Sequence, residues 1–126
     1  MLRFGPHAGD PVKDRADAII HSSQARYLEA LEAPRPALLK EMEELAAREG
    51  RPISDLEVAT FLRVVCQSRR PRRVVEVGTN IGYGAIVLAQ ACGPEAVVET
   101  VELDPGLVKV SNAFVAFIPA RIASRT

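Results

Sequence analysis

Two glutamates and a glycine-rich turn have the residue types and spacing that could do chemistry in this chain. Glu76 stands near the end of one apolar run, Gly78, Gly82 and Gly84 follow it closely, and Glu102 ends a second apolar run. Glycines let the backbone turn tightly and bring its amides close to a ligand. A carboxylate after a neighbouring strand can accept hydrogen bonds from two vicinal ribose hydroxyls. The pattern therefore predicts a site for a nucleoside.

The spacing within the turn narrows the kind of nucleoside that fits. The segment reads EVGTNIGYG instead of GxGxxG, which disfavours a cofactor with a pyrophosphate. Glu102 would repel a 2′-phosphate. The amides that open the helix after Gly82 are predicted to face a negatively charged or polar group. Glu76 can hold loop amides or meet a cationic group of the ligand.

Strands and helices alternate around the turn. RVVEV from Arg73 and VVETVEL from Val97 are β-branched runs typical of strands. The segment from Tyr83 to Cys92 is apolar on every side, which predicts a helix buried against a sheet. The sequence DPG at 104–106 starts a last helix with proline at an early position. We therefore predict the βαβα opening of a parallel α/β sheet.

Three helices are predicted ahead of the sheet. The first covers Asp14–Glu32 and stops at two prolines, and the second follows Pro36 and ends at Gly50. The third begins at a capping box formed by Ser54 and Glu57 and stops before Pro71. We divide the chain into residues 1–53, an arm with two amphipathic helices that form a lid or a dimer region, and residues 54–126, a partial cofactor-binding domain.

Composition excludes several other classes of protein. The 126 residues include 16 basic and 16 acidic side chains, so no net field favours nucleic acid or an anionic membrane. No apolar run has the length of a membrane span or of a signal peptide. Cys66 and Cys92 are predicted to be buried thiols of a cytoplasmic protein. His7 and His21 lack partners at ligand spacing, and we predict no metal site.

The chain resembles S-adenosylmethionine-dependent O-methyltransferases of the catechol and caffeoyl-CoA type. The resemblance rests on the glycine turn, on VELD at 101–104 and on the lead-in SDLEVATFLRVV at 54–65. It implies a Rossmann-like class I methyltransferase sheet, S-adenosylmethionine as cofactor and a small-molecule acceptor. Members usually have serine at the position of Gly84, which leaves backbone amides for the methionine carboxylate. The implied cofactor contacts are Glu76, Gly78, Thr79, Tyr83, Gly84 and Glu102.

The resemblance fades after about Asn112. Complete members continue into strands that carry a general base, an acceptor pocket and the ligands of a divalent metal. We expect none of these here, no catalytic residue, and no third strand in the tail from Phe114. The expectation is a truncated methyltransferase that keeps part of the cofactor site, with an exposed sheet edge that favours a homo-oligomer.

Two other functions stay open. The chain could be a non-catalytic cofactor-binding or oligomerising module derived from a methyltransferase. It could also be a NAD-type Rossmann protein, which the spacing of the glycines disfavours.

Overall fold

A computed structural model describes residues 21–31, 34–117 and 121–125 of the chain. The chain divides into two compact units, Met1–Pro34 and Arg35–Thr126. The first unit holds helix α1 (Ser22–Leu31), and the earlier part of the helix predicted from Asp14 lies outside the described residues. The second unit contains α2 (Ala37–Glu49), α3 (Leu56–Arg69), β1 (Arg73–Val77), α4 (Tyr83–Cys92), β2 (Val97–Val101), α5 (Pro105–Val115) and β3 (Arg121–Arg125). The division predicted between residues 53 and 54 stays a prediction.

The sheet of the second unit has three parallel strands in the order β1-β2-β3. Helix α4 connects β1 to β2, and α5 connects β2 to β3. The bounds of β1 and α4 agree with the sequence prediction, and α5 begins at the predicted proline. The predicted α/β class with a parallel sheet is confirmed.

The prediction that the tail gives no third strand is wrong. Residues Arg121–Arg125 pair with β2 in register, from Val97 opposite Arg121 to Val101 opposite Arg125. The local pattern is weak because Ile122 is the one large apolar residue in this strand. The strand is set by the free edge of β2 and by Ile122, which packs against both hydrophobic clusters of the core. These contacts join residues that are far apart in the sequence, so local sequence patterns do not predict them.

The start of α3 also differs from the prediction. The capping box at Ser54 and Glu57 is wrong, because Asp55 precedes the first helical residue, Leu56. Asp55 has extended dihedral angles, φ −59° and ψ 156°, so the helix begins one residue later than predicted. Ile53, in the segment before it, packs against the core. Among the described residues, Glu57 Oε2 is buried without a hydrogen-bond partner.

The core lies between one face of the sheet and the helices. Met42 of α2 and Ile86 of α4 are fully buried in one cluster with Ile81, and Val98 of β2 belongs to a second cluster beneath α4. Helix α4 is buried along most of its length, as predicted from its all-round apolar sequence. This packing fixes the turn between β1 and α4 relative to the end of β2.

Candidate nucleoside-binding site

The backbone of the glycine turn joins the ends of β1 and β2. Gly78 has φ +94°, and its amide donates to the carbonyl of Val101 at 2.8 Å. The Thr79 amide donates to the same oxygen at 3.2 Å. These two amides therefore hold the carboxyl ends of β1 and β2 together. They contribute to a ligand site by fixing the position of the turn.

Asn80 links the turn to two other segments. It has φ +49°, a left-handed conformation that asparagine tolerates better than most residues. Its backbone amide donates to Glu102 Oε2 at 2.7 Å, and its side-chain Nδ2 donates to the carbonyl of Pro52 at 2.7 Å. Asn80 is not among the site residues predicted from the sequence. Its position inside a glycine turn, where left-handed residues are common, is the signal that could have found it.

Glu102 lies directly after β2 with its carboxylate held by backbone amides. Asp104 donates its amide to Glu102 Oε1 at 3.0 Å, and Asn80 donates to the other oxygen. The hydrogen bonds from Asp104 and then from Asn80 hold the pKa of Glu102 below its ordinary value. Each carboxylate oxygen has further acceptor capacity. Glu102 is therefore an oriented, ionised acceptor beside the glycine turn.

Glu76 is on β1, and its carboxylate is partly buried beneath the turn. Its Oε2 accepts a hydrogen bond from Thr100 Oγ1 at 2.7 Å. Thr100 is fully buried and its hydroxyl is also 2.6 Å from the hydroxyl of Thr79. Burial raises the pKa of Glu76, and the hydrogen bond from Thr100 opposes part of that rise. Thr79 thus contributes its side chain to a buried polar group, not to a surface.

The raised pKa of Glu76 predicts a pH dependence of stability. The folded chain binds this proton more tightly than the unfolded chain, so the free energy of unfolding falls as pH rises from about 4.5 through the raised pKa. Glu76→Gln removes this fall, and we expect the variant to gain stability over the wild type as pH increases. Urea denaturation at a series of pH values from 4 to 9 measures the difference.

A matched control is Glu99→Gln on β2. Arg73 lowers the pKa of Glu99 through a hydrogen bond, so this variant should lose stability relative to the wild type above pH 4.5. Parallel pH profiles for the wild type and Glu76→Gln would contradict the prediction.

Gly84 makes room for the carboxylate of Glu76. A Cβ built on Gly84 collides with Glu76 Oε1 and lies 3.3 Å from its carboxyl carbon. Gly84 is the second residue of α4, so the carboxylate rests on the first turn of this helix. The Glu76 carboxylate can therefore take this position only because residue 84 has no side chain.

The side chain of Tyr83 packs into the core and does not face the turn. It is 2% exposed, belongs to the cluster that contains Met42 and Ile86, and its hydroxyl donates to Glu43 Oε1 of α2 at 2.9 Å. Burial, with the carboxylate of Glu43, raises its pKa. The structure brings Glu76, Gly78, Thr79, Gly84 and Glu102 together at one edge of the sheet, whereas only the backbone of Tyr83 is there. The cofactor roles of all six residues stay predictions.

Within residues 21–31, 34–117 and 121–125, no three His, Cys, Asp or Glu side chains form a group that could hold a metal ion. In the same ranges, no helix has the length and apolar character needed to cross a membrane.

Comparisons with known proteins point to methyltransferases. No family model matches the chain. A curated relative, the protein-L-isoaspartate O-methyltransferase of Ignicoccus hospitalis, is 38% identical over 60 residues, which are 48% of this chain and 28% of the relative.

Solved structures resemble a larger part of the chain. An O-methyltransferase from Bacillus cereus in complex with S-adenosylhomocysteine has a TM-score of 0.73 at 23% identity, covering 82% of this chain and 49% of that one. A methyltransferase from Geobacter sulfurreducens has a TM-score of 0.76 at 21% identity, with 85% and 57% covered. The O-methyltransferase TomG from Streptomyces achromogenes in complex with S-adenosylmethionine has a TM-score of 0.70 at 21% identity, with 82% and 48% covered.

These similarities define the class of fold. The chain has the Rossmann-like α/β fold of S-adenosylmethionine-dependent O-methyltransferases, which confirms the fold implied by the sequence resemblance. It spans about half the length of these structures and 28% of the curated relative.

Proposed function

We propose that this chain binds the nucleoside part of S-adenosylmethionine and belongs to the O-methyltransferases that methylate a hydroxyl of a small molecule. The observation that carries the proposal is the Glu102 carboxylate, held by the amides of Asn80 and Asp104 at the carboxyl edge of the sheet. In open α/β sheets, ligands bind beyond the carboxyl ends of the strands. The solved O-methyltransferases that resemble the chain support this cofactor.

The residues present fit the nucleoside part of this cofactor. Glu102 would accept hydrogen bonds from both ribose hydroxyls through the free acceptor capacity of its two oxygens. Asn80 and Asp104 fix the Glu102 carboxylate before the ligand binds. Binding therefore costs little further conformational entropy of this side chain. The bound cofactor supplies an electrophilic methyl group on a sulfonium, and the chain's part is to hold and orient it.

Calorimetric titration with S-adenosylhomocysteine and S-adenosylmethionine tests the proposal. A hydrogen bond to a charged acceptor contributes enough that Glu102→Ala should weaken binding by about 10- to 150-fold. Glu95→Ala is the control, because Glu95 is an exposed carboxylate in the turn before β2, at the opposite end of the strand.

Three results would count against the proposal. One is the absence of binding by a wild-type chain that is folded by circular dichroism, and another is equal affinity in Glu102→Ala. Tight binding of NADH without a response to S-adenosylmethionine would favour a dinucleotide-binding Rossmann protein instead.

A second candidate function is a cofactor-binding module that assembles with copies of itself. The observation that favours it is an exposed apolar patch on the face of the sheet opposite the core, where Val75 is 66% and Val77 is 87% exposed. In the described sheet β1 is also an edge strand, and such edges pair readily with another chain. Light scattering of the purified chain distinguishes a stable homo-oligomer from a monomer.

A further inference from the structure

The two cysteines of the chain are brought together at the ends of two helices. Cys66 lies in the last turn of α3, where its carbonyl accepts the amide of Arg70 at 2.7 Å, and Cys92 is the last residue of α4. Cys66 is 5% exposed, and the half-buried Cys92 packs against the hydrophobic cluster that contains Cys66. Both are free thiols. The fold therefore makes neighbours of two thiols that are distant in the sequence.

A cleft gives access to Cys92. It has a volume of about 410 Å³, lies at the end of the sheet where β1 and β2 begin, and is lined by Cys92 and by the charged side chains of Arg70, Arg72 and Glu95. Two exposed arginines against one exposed carboxylate favour a ligand that carries carboxylates. Cys66 does not line this cleft. A reagent that enters it therefore meets Cys92 first.

The surroundings of the two thiols disfavour a thiolate but not a disulfide. Burial and, to a smaller extent, the neighbouring Cys66 thiol raise the pKa of Cys92 to about 11. The carboxyl-terminal end of a helix carries a partial negative charge, which adds to this effect. A disulfide is uncharged, so burial and the helix ends do not oppose it. The pair should therefore react slowly at neutral pH, and a disulfide between them should resist reduction once it has formed.

We propose that Cys92 and Cys66 form a thiol–disulfide exchange site, in which Cys92 reacts with a carboxylate-bearing disulfide in the cleft and Cys66 completes a bond between α3 and α4. The Cys92 thiolate, after losing its proton to water, attacks one sulfur of the small disulfide and displaces one thiolate, which leaves a mixed disulfide on Cys92. The Cys66 thiolate then attacks Cys92 Sγ and displaces the second thiolate. The chain loses two protons and two electrons, and the small disulfide is reduced to two thiols. The site does not depend on the proposed function, because it lies at the opposite end of the sheet from Glu102.

Equilibration of the wild type with reduced and oxidised glutathione at pH 8 tests the pairing. Peptide mapping should locate a disulfide between Cys66 and Cys92 in the folded chain. Because the fold holds the two thiols together, half-oxidation of the folded chain should need a ratio of squared reduced to oxidised glutathione that is about tenfold higher, or more, than for the chain unfolded in concentrated urea. An equal or lower ratio for the folded chain would overturn the inference, because the fold would then hold the thiols apart.

Single substitutions test which thiol reacts first. With oxidised glutathione, Cys66→Ala should stop at a chain that carries one glutathione on Cys92, detected by mass spectrometry. Cys92→Ser should stay largely unmodified, because Cys66 is buried. Circular dichroism checks that both variants are folded. Faster attachment of glutathione to Cys66 in Cys92→Ser than to Cys92 in Cys66→Ala would overturn the order of the two steps.

Replacing both cleft arginines tests the class of disulfide. Arg70→Gln combined with Arg72→Gln should slow the reaction of Cys92 with oxidised glutathione by about threefold or more at low salt. The rate with the neutral bis(2-hydroxyethyl) disulfide should stay within about twofold of the wild type, because it has no carboxylate for the arginines to attract. The same change in rate with both disulfides would overturn the preference for a carboxylate-bearing substrate.

Discussion

Replacing Gly82 by alanine is expected to lower the free energy of unfolding by about 2–5 kcal/mol. Two effects add at this position. Gly82 has φ +91°, a conformation that is strained for residues with a side chain. A Cβ built on it also lies 3.2 Å from the Cβ of Ser111, which is fully buried in α5. The turn and α5 would have to move apart to admit a methyl group.

Gly78→Ala separates these two effects. Gly78 has φ +94°, but no heavy atom lies within 4 Å of a Cβ built there, so this variant should show backbone strain alone, about 1–3 kcal/mol. Urea denaturation followed by circular dichroism measures both changes. Equal losses in the two variants would show that the contact with Ser111 is unimportant.

Thr100→Val is expected to destabilise the fold by about 2–4 kcal/mol although the side chains have nearly the same shape. The Thr100 hydroxyl donates to Glu76 Oε2 and contacts the buried hydroxyl of Thr79. Valine would leave a partly buried carboxylate and a buried hydroxyl without this partner. The pKa of Glu76 should also rise further, because the hydrogen bond from Thr100 lowers it.

Thr100→Ser is the control for this substitution, because serine keeps the hydroxyl and removes one methyl group. We expect a smaller loss in the serine variant than in the valine variant, measured by thermal and urea denaturation. The loss in Thr100→Val should also shrink when Glu76 is already glutamine, because the pair is coupled. A valine variant as stable as the serine variant would show that the hydroxyl makes no net contribution.

Local sequence patterns predicted most of the elements of the second unit. β1 is β-branched and bounded by proline and glycine, α4 is apolar on every face, and Asp104 caps α5 ahead of a proline in its first turn. Each signal acts within a few residues, where backbone propensity and burial agree. β3 was predicted wrongly because it depends on a distant contact, the edge of β2, and the start of α3 was predicted one residue too early because Asp55 is extended.

In the candidate site too, some features followed from local sequence patterns and others depend on distant contacts. The positions of Glu76 and Glu102 near strand ends followed from the sequence, because parallel strands bring their carboxyl ends to one edge. Their hydrogen-bond partners did not follow, since Thr100 and Asn80 are 24 and 22 residues away along the chain. Residue type alone does not distinguish the two glutamates. Burial raises the pKa of Glu76, whereas backbone amides lower that of Glu102.

The sequence by itself determined the alternation of strand and helix, the glycine turn and the two carboxylates beside it, because these features depend on local periodicity and backbone freedom. The tertiary structure alone decided that β3 joins the sheet, that Tyr83 packs toward Glu43, and that Glu76 rests on the first turn of α4 above Gly84. The physical reason is that edge pairing, burial and hydrogen bonds between distant segments form only when the whole unit packs.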